Sequence, residues 1–546
     1  MKYTDLRHKY DVLVNEKSGL IEVLTLIEQY IMPFRAYFNG PIDSSNQITW
    51  RRKEIYDSTA IFAAQTLAAN LHSNLTNPVL LWFSLVTRDK KLNQVNEVKR
   101  WLEECTQRVY QAFGASNFEL QINETYLDIV GFGTAILLQE ARELQDGALE
   151  NIDFSTIPIE EAVFETDYLG RTSSFFRLLK WTPAQIISKF GESEVPQKVR
   201  DAANNPEKSM MRMSILFSIY RRKEIDQQWA DGHAVLPPLS RPWACEYHLF
   251  EDGTLLYEGG YYEMPVYVAK WRRTSGSDWG FSQAMICLSD VLTINKLVEL
   301  TLKAGEKAID PPALVTRRGV FGDINLKAGG HTVVDKTDNI TYLRNEGRFD
   351  VSSLSKEDLQ RSIEKSFFVD QLQLKDSPAM TATEAQIRYQ LMQRLLGPSL
   401  GCMKNGLYDP LVEGTFRILY RYGLLPPAPE VIRQSGVQFA VEYSGPMARA
   451  QRFDVVASIE RWMLDVSQLA AAFPTAIDVP DIDEVVKELG YSAGVPARLV
   501  QSDSVIMLNR IKKQKRQDMA NKIQMATGAG QAVKAIGEGT RAMNGR

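Results

Sequence analysis

A predominantly helical α+β fold is predicted by three features of the sequence. Long proline-free stretches carry apolar residues at mixed three- and four-residue spacings, the period of a helix. A block from Asn151 to Arg273 breaks instead into short alternating segments divided by Gly and Asp turns, the habit of antiparallel strands. The 546 residues, 44% hydrophobic and 24% charged, suffice for roughly two to four domains, each with its own core.

Residues 4 to 32 read as a helix, with Leu13, Leu20, Ile21, Leu24, Ile27 and Ile31 at mixed three- and four-residue spacings and Pro33 ending it. Asn39 to Asn46 is a loop by composition. Ala60 to Leu75 is small, apolar and weakly charged, which predicts an almost fully buried helix broken at Asn77-Pro78, with Trp82-Phe83 following in an extended or short helical piece. An amphipathic helix over 93–113 puts Val98, Leu102, Cys105, Val109 and Phe113 on one stripe. Phe118 to Gln139 reads as a buried helix interrupted at Gly131-Phe-Gly133. Strands are then predicted around FSTIPIEEAVFETD and SSFFRLLKWT, with a turn at Tyr168-Leu-Gly170, and in SILFSIYRR, ACEYHLFEDGTLLYEGG and MPVYVAKWRR, with a turn at Glu251-Asp-Gly253. Thr182-Pro-Ala-Gln185 begins a short helix that ends at Phe190-Gly191, and Asp201 to Lys208 is a surface loop. The first half is thus a helical layer against a β-rich layer.

The most distinctive stretch runs from Trp279 to Arg394. A helix starting near Ser282 meets no proline before Pro311 and would be roughly 40 Å long. Brief strands follow in ALVTRRGVFG, HTVVDK and ITYLRNE. A return helix is signalled by Ser355-Lys-Glu-Asp358 and continues to about Leu374. After the loop from Lys375 to Met380, Thr381-Ala-Thr-Glu384 restarts a very long helix toward Tyr422, interrupted or kinked at Gly397-Pro398. A strand in FAVEYSG precedes a helical C-terminal part and a Gly- and Ala-rich tail that frays.

Composition narrows the function. No run approaches the ~20 apolar residues of a membrane span, and the charged N-terminus is unlike a signal peptide, so a soluble intracellular product is expected. Cys105, Cys245, Cys287 and Cys402 are too scattered for a disulfide framework or zinc ribbon. A net charge of −4 argues against a protein that grips nucleic acid over its whole surface, though not against one that lets it pass. There is no Walker A loop, GxSxG, HExxH or CxxC; Asp481, Asp483 and Glu484 read as helix capping, and Gly131-Phe-Gly133 as close packing. No catalytic residue, metal site or cofactor is expected. The alternative is a metal-dependent enzyme acting on nucleic acid or nucleotides through scattered carboxylates; a third reading is an adaptor that binds DNA.

Basic residues have two readings each. On the long helix Cys287, Val291, Ile294, Val298, Thr301, Gly305 and Ile309 share one face, with Lys296, Lys303 and Lys307 opposite. Those lysines face DNA or simply water; Glu299, spaced to pair with Lys296 and Lys303, favours water. Arg510, Lys512, Lys513, Lys515 and Arg516 form a cluster that binds DNA or a partner, or is a solvated face.

IYDSTAIFAAQTLAANLHSNLTNPVLLWFSL, WGFSQAMICLSDVLTINKL and MTATEAQIRYQLM, in that order, resemble the N-terminal signature, first stem helix and post-tunnel-loop helix of portal (head-to-tail connector) proteins of short-tailed, T7-like phages. After about residue 450 only helical character agrees. The resemblance implies a non-enzymatic ring, usually of twelve subunits, at one capsid vertex of the virion, assembled in the host cytoplasm. It implies a wing over 1–280 and 381–445, a stem over 281–310 and 355–374, a clip over 311–354, a tunnel loop over 375–380 and a crown over 446–546. The implied partners are double-stranded DNA in the channel, terminase, tail adaptor proteins, and major capsid and scaffolding proteins, with no membrane. Lys375 becomes the first candidate for DNA contact, Lys296, Lys303, Lys307 and Lys365 weaker ones, and Arg317 and Arg318 candidates for docking at the clip.

Overall fold

The computed structural model describes residues 1–35, 55–78, 81–89, 91–144, 147–223, 236–309, 313–315, 320–321, 333–334, 340–342, 349–369, 396–435, 439–443, 446–473, 475, 479–492, 501, 505–517 and 519. The chain forms two compact units, one of residues 1–82 and 107–425, the other of 83–106 and 426–546. The expected loops at 39–46 and 375–380, the helix start at 381–384 and the C-terminal tail lie outside the described residues.

In the first unit, α1 (Tyr3–Tyr30) and α2 (Thr59–Leu75) match the predicted helices. Ala60, Ala63, Ala64, Leu67, Ala68 and Leu71 are all buried, as the small apolar composition of α2 demands. In the second unit, β1 (Phe83–Thr87) resolves the ambiguity after Pro78 in favour of a strand. Next, α3 (Asn96–Ala115) buries the expected Val98, Leu102, Cys105, Val109 and Phe113.

The helix expected from Phe118 to Gln139 is corrected. Helix α4 (Phe118–Phe132) stops at Gly133, and the following residues are strand β2 (Thr134–Glu143). Gly133 takes φ 75°, the left-handed conformation that caps helices. A Cβ there would also lie 2.7 Å from the Gly280 carbonyl oxygen, so only glycine fits. Close packing at Gly131 holds too, since a Cβ on it would meet Met32 Cγ at 2.8 Å.

Strand β2 lies at the centre of a three-stranded antiparallel sheet, between β3 (Leu149–Ile157) and β9 (Val266–Lys270). A second, five-stranded antiparallel sheet runs β4 (Ala162–Thr166), β5 (Thr172–Trp181), β6 (Met213–Arg221), β7 (Trp243–Leu249), β8 (Leu255–Tyr261) in simple chain order. Between β5 and β6, α5 (Pro183–Phe190) begins at the predicted start, where Thr182 and Gln185 form a capping box. There too α6 (Gln197–Asn204) replaces the first half of the expected loop at 201–208; its buried Val199 anchors a turn too polar to read as helix.

The five-stranded sheet is buried on both faces. On one, Phe175, Phe217 and Tyr247 meet Ile136, Leu138 and Ile157 of the three-stranded sheet, with Ile186 and Val199 of α5 and α6. On the other, Phe176, Leu216 and Ala244 meet Leu6 and Tyr10 of α1. Phe175 and Phe176 therefore point to opposite cores, as the two-residue period of a strand requires.

Helix α7 (Gln283–Ile309) follows, then short strands β10 (Ala313–Val315), β11 (Val320–Phe321), β12 (Val333–Val334) and β13 (Ile340–Tyr342). These pair as β10 with β13 and β11 with β12, one hairpin nested inside the other. Helix α8 (Phe349–Ser366) packs on α7. It corrects the start of the expected return helix, because Ser355 to Asp358 fall inside it; its regular run stops at Ser366, Val369 is helical again, and 370–374 lie outside the described residues. A Ser-acid pattern suits an exposed helix face as well as a cap. The stop comes where Phe367 is buried and Phe368 adopts φ 59°, a left-handed geometry that ends an α-helix.

The long helix after residue 396 runs as α9 (396–403), one π-helical turn over Lys404–Tyr408, and α10 (Asp409–Arg421). The expected interruption or kink at Gly397-Pro398 falls at the start of the described helix, with the preceding stretch outside the described residues; from residue 396 on, the irregularity is the π turn. Gly406 lays that turn directly on β9, where a Cβ would be 2.8 Å from the Val268 carbonyl oxygen. The Tyr408 hydroxyl enters a buried chain, 2.9 Å from Tyr126, whose hydroxyl is 3.0 Å from Thr76 Oγ1.

The second unit contains α11 (Glu430–Ser435), β14 (Phe439–Tyr443), α12 (Pro446–Ala472), α13 (Ile482–Ser492) and α14 (505–517). Strand β14 pairs antiparallel with β1, and α13 packs on α12. No helix of the described residues is long and apolar enough to cross a membrane.

Candidate functional site

Helix α7 carries the first candidates, and its base is tied firmly. Ser282 caps it, its hydroxyl accepting from Met285 N–H and donating to the Gly131 carbonyl. Cys287, Val291 and Ile294 are buried, as expected for the apolar face. Asn295, also buried, accepts from the backbone N–H groups of Tyr56 and Asp57, and Gln360 of α8 donates to Asp57 and Thr59. Further along, burial fades on the same face: Val298 is half-buried and Ile309 is 88% exposed, with Leu302 exposed one face-repeat before it and Leu300 exposed on the opposite, lysine-bearing side.

The lysines opposite that face are solvent-exposed and unequally matched. Glu299 takes Lys296 at 2.9 Å and also Lys303, so one carboxylate answers two ammonium groups. Their hydrogen bonds hold the Glu299 carboxyl at about 2, well below the ordinary range, and lift Lys303. Lys307 and Lys365 are exposed and make no ion pair among the described residues. Lys375, Arg317 and Arg318 lie outside the described residues.

The C-terminal cluster is divided by its contacts. Arg510 forms a two-pronged pair with Asp483 of α13, one prong 2.6 Å, and this contact holds the Asp483 carboxyl below its usual range. Lys512, Lys513, Lys515 and Arg516 are exposed, with no acidic partner among the described residues. Asp481 caps α13 by accepting from the N–H groups of Asp483 and Glu484, which bears out the capping interpretation of that acidic run. The Asp483 to Arg510 tie was not foreseen; the two lie 27 positions apart, and no local period links them.

Sequence patterns also missed a buried lysine in the first unit. Lys17 of α1 is 4% exposed and donates to the carbonyls of Ile159, Glu160 and Ala162, the bend between β3 and β4. Its one visible signal is a cation placed among the apolar positions of α1. Burial pulls the Lys17 ammonium down to about 8 and pushes the neighbouring Glu160 carboxyl up to about 7. Among the described residues, no three His, Cys, Asp or Glu side chains are grouped to hold a metal ion.

The model of a family described as bacteriophage head to tail connecting protein matches residues 4–500, so the likeness extends beyond residue 450. A protein described as a probable portal protein of Bordetella phage BPP-1 is 26% identical over 538 residues, covering 94% of this chain and 92% of that protein. The portal protein of Salmonella phage epsilon15 is 24% identical over 516 residues, covering 89% and 87% respectively. With a match spanning nearly its whole length, the chain belongs to the family of bacteriophage head to tail connecting proteins.

Proposed function

We infer that this chain is a phage portal subunit, the component of a ring at one capsid vertex through which genome DNA is packaged and ejected. The observation that carries the reading is the family match over residues 4–500 together with two portal relatives aligned almost end to end. In it, the chain is structural and not enzymatic. Residues 1–280 and 381–445 form the wing, 281–310 and 355–374 the stem, 311–354 the clip, 375–380 the tunnel loop and 446–546 the crown. Twelve copies close the ring. Lys375 lines its narrowest part, with Lys307 and Lys365 better candidates for DNA than Lys296 and Lys303, which Glu299 already engages. Arg317 and Arg318 sit in the part that docks terminase and later tail adaptors, and capsid and scaffolding proteins surround the ring during assembly in the host cytoplasm.

The far part of α7 supports assembly. Leu302 and Ile309 on one face, and Leu300 on the opposite one, are exposed in the single chain, apolar surface on two sides that neighbours on a closed ring would cover. Negative-stain images of the purified protein should show rings with an axial channel. A monodisperse monomer at high concentration, under conditions used for capsid assembly, overturns the reading.

A further inference from the structure

Helix α14 holds five cations between Arg510 and Arg516 and no acidic residue from Val505 to Gln517. Asn509, Lys512, Lys513 and Arg516 stand at i, i+3, i+4 and i+7, the spacing that gathers side chains on one helix face. With Gln501, Ile506 and Arg510 they line a groove of about 420 Å³. The groove is braced at two points. Arg510 is held by Asp483, and Asn509 donates to Gln501 at 3.2 Å. Because Asp483 is committed to Arg510, and Glu484 receives Lys487, these α13 acids have their own cations.

Like charges at i,i+3 and i,i+4 repel on an isolated helix, by about 0.2–0.5 kcal/mol per pair. Lys512 with Arg516 and Lys513 with Arg516 are such pairs, and a polyanion across the face would relieve both. The type of polyanion follows from what the helix lacks. Residues 505–517 include no aromatic ring on which an unstacked base could lie, so a single strand finds no platform. Lysine and arginine without such rings suit the evenly spaced phosphates of a duplex, recognised without regard to sequence.

We propose that the face of α14 formed by Asn509, Lys512, Lys513 and Arg516 binds the phosphate backbone of double-stranded DNA. The assignment rests on the portal reading for the presence of duplex DNA. It adds a site distinct from the lysines of the stem and tunnel loop.

The test titrates the full-length protein with a fluorescent mixed-sequence duplex at a series of salt concentrations, with assembly state followed by light scattering. Lys512→Gln/Lys513→Gln/Arg516→Gln should weaken binding and reduce the log–log salt slope by about 2.7, roughly 0.9 for each of three lost phosphate contacts. Lys512→Arg/Lys513→Arg/Arg516→Lys keeps the charges and should bind like the parent. Lys91→Gln/Lys208→Gln/Lys223→Gln, which removes equal charge from exposed positions elsewhere, should retain the parent slope. An unchanged slope in the first variant overturns the site, as does an equal fall in the last. Preference for a single strand, or full competition by polyglutamate at matched charge, overturns duplex DNA as the ligand. Rings that form normally while the first variant binds like the parent refute this site and leave the portal reading intact. Monomers that bind duplex through this face do the reverse.

Discussion

Charged groups taken into the sheet-bearing body of the first unit and those on helices α7 and α14 are handled in opposite ways. In the interior of the body two cations are withdrawn from water and engaged: Arg35 is held against Asp128 at 2.6 Å and Glu124 at 3.1 Å, and Lys17 is enclosed by three carbonyls. On α7 and α14 the cations stand in water, some answered by a nearby acid and some not. A buried charge stripped of its partner is costly, whereas an exposed pair contributes little to stability. The body's buried ions therefore answer to folding, and the exposed cations of the two helices are free to answer to a ligand.

The contrast can be broken most easily where its effect is largest. Arg35→Met leaves Asp128, whose side chain is 4% exposed, without its partner, and should cost about 3–5 kcal/mol in denaturant unfolding. A loss below about 1 kcal/mol, the level of a surface pair, would erase the distinction.

A smaller effect is expected at Lys17. Lys17→Met removes the donor from three carbonyls, at a cost of about 1–3 kcal/mol. The pH dependence sharpens the point. The folded ammonium is pulled down to about 8 from an ordinary 10.5. Between these values the unfolded chain still holds a proton that the folded chain has shed, so the parent gains stability as pH rises across that window. Below about 8 both states are protonated and the gain is absent. Melting temperature followed against pH should rise less steeply through this range in Lys17→Met than in the parent, and identical profiles would remove Lys17 as the cause.

The smallest effect on folding belongs to Glu299. Glu299→Gln should leave the melting temperature where it is, while freeing Lys296 and Lys303 for phosphate. The salt slope of duplex binding would then steepen by up to about 1.8, two contacts' worth. A clear drop in melting temperature would instead make that exposed trio part of the fold.

What was legible in the sequence follows the range of the forces involved. Helix α5 was readable to its ends, because Thr182, Gln185 and Gly191 act within one short segment. The extent of α7 followed from an uninterrupted apolar period. The strand at Thr134 was lost because TAILL continues the apolar run of α4 without a polar break, and only the left-handed Gly133 separates them. Of the site, the pairing of Glu299 with Lys296 and Lys303 was readable from spacing, being local to one helix. The contact that divides the C-terminal cluster was not, because Asp483 reaches Arg510 only through the fold.

The π turn at Lys404–Tyr408 changes which way the rest of its helix faces. An i→i+5 turn holds one residue more than an α-helical one. One added residue turns everything downstream by about 100° about the axis. Two lengths of helix could then keep separate allegiances, the later one facing Gln139 through Thr415 and the turn itself facing Tyr126 through Tyr408. Gly406, flush against β9, gives this register a seat that a larger residue would deny it.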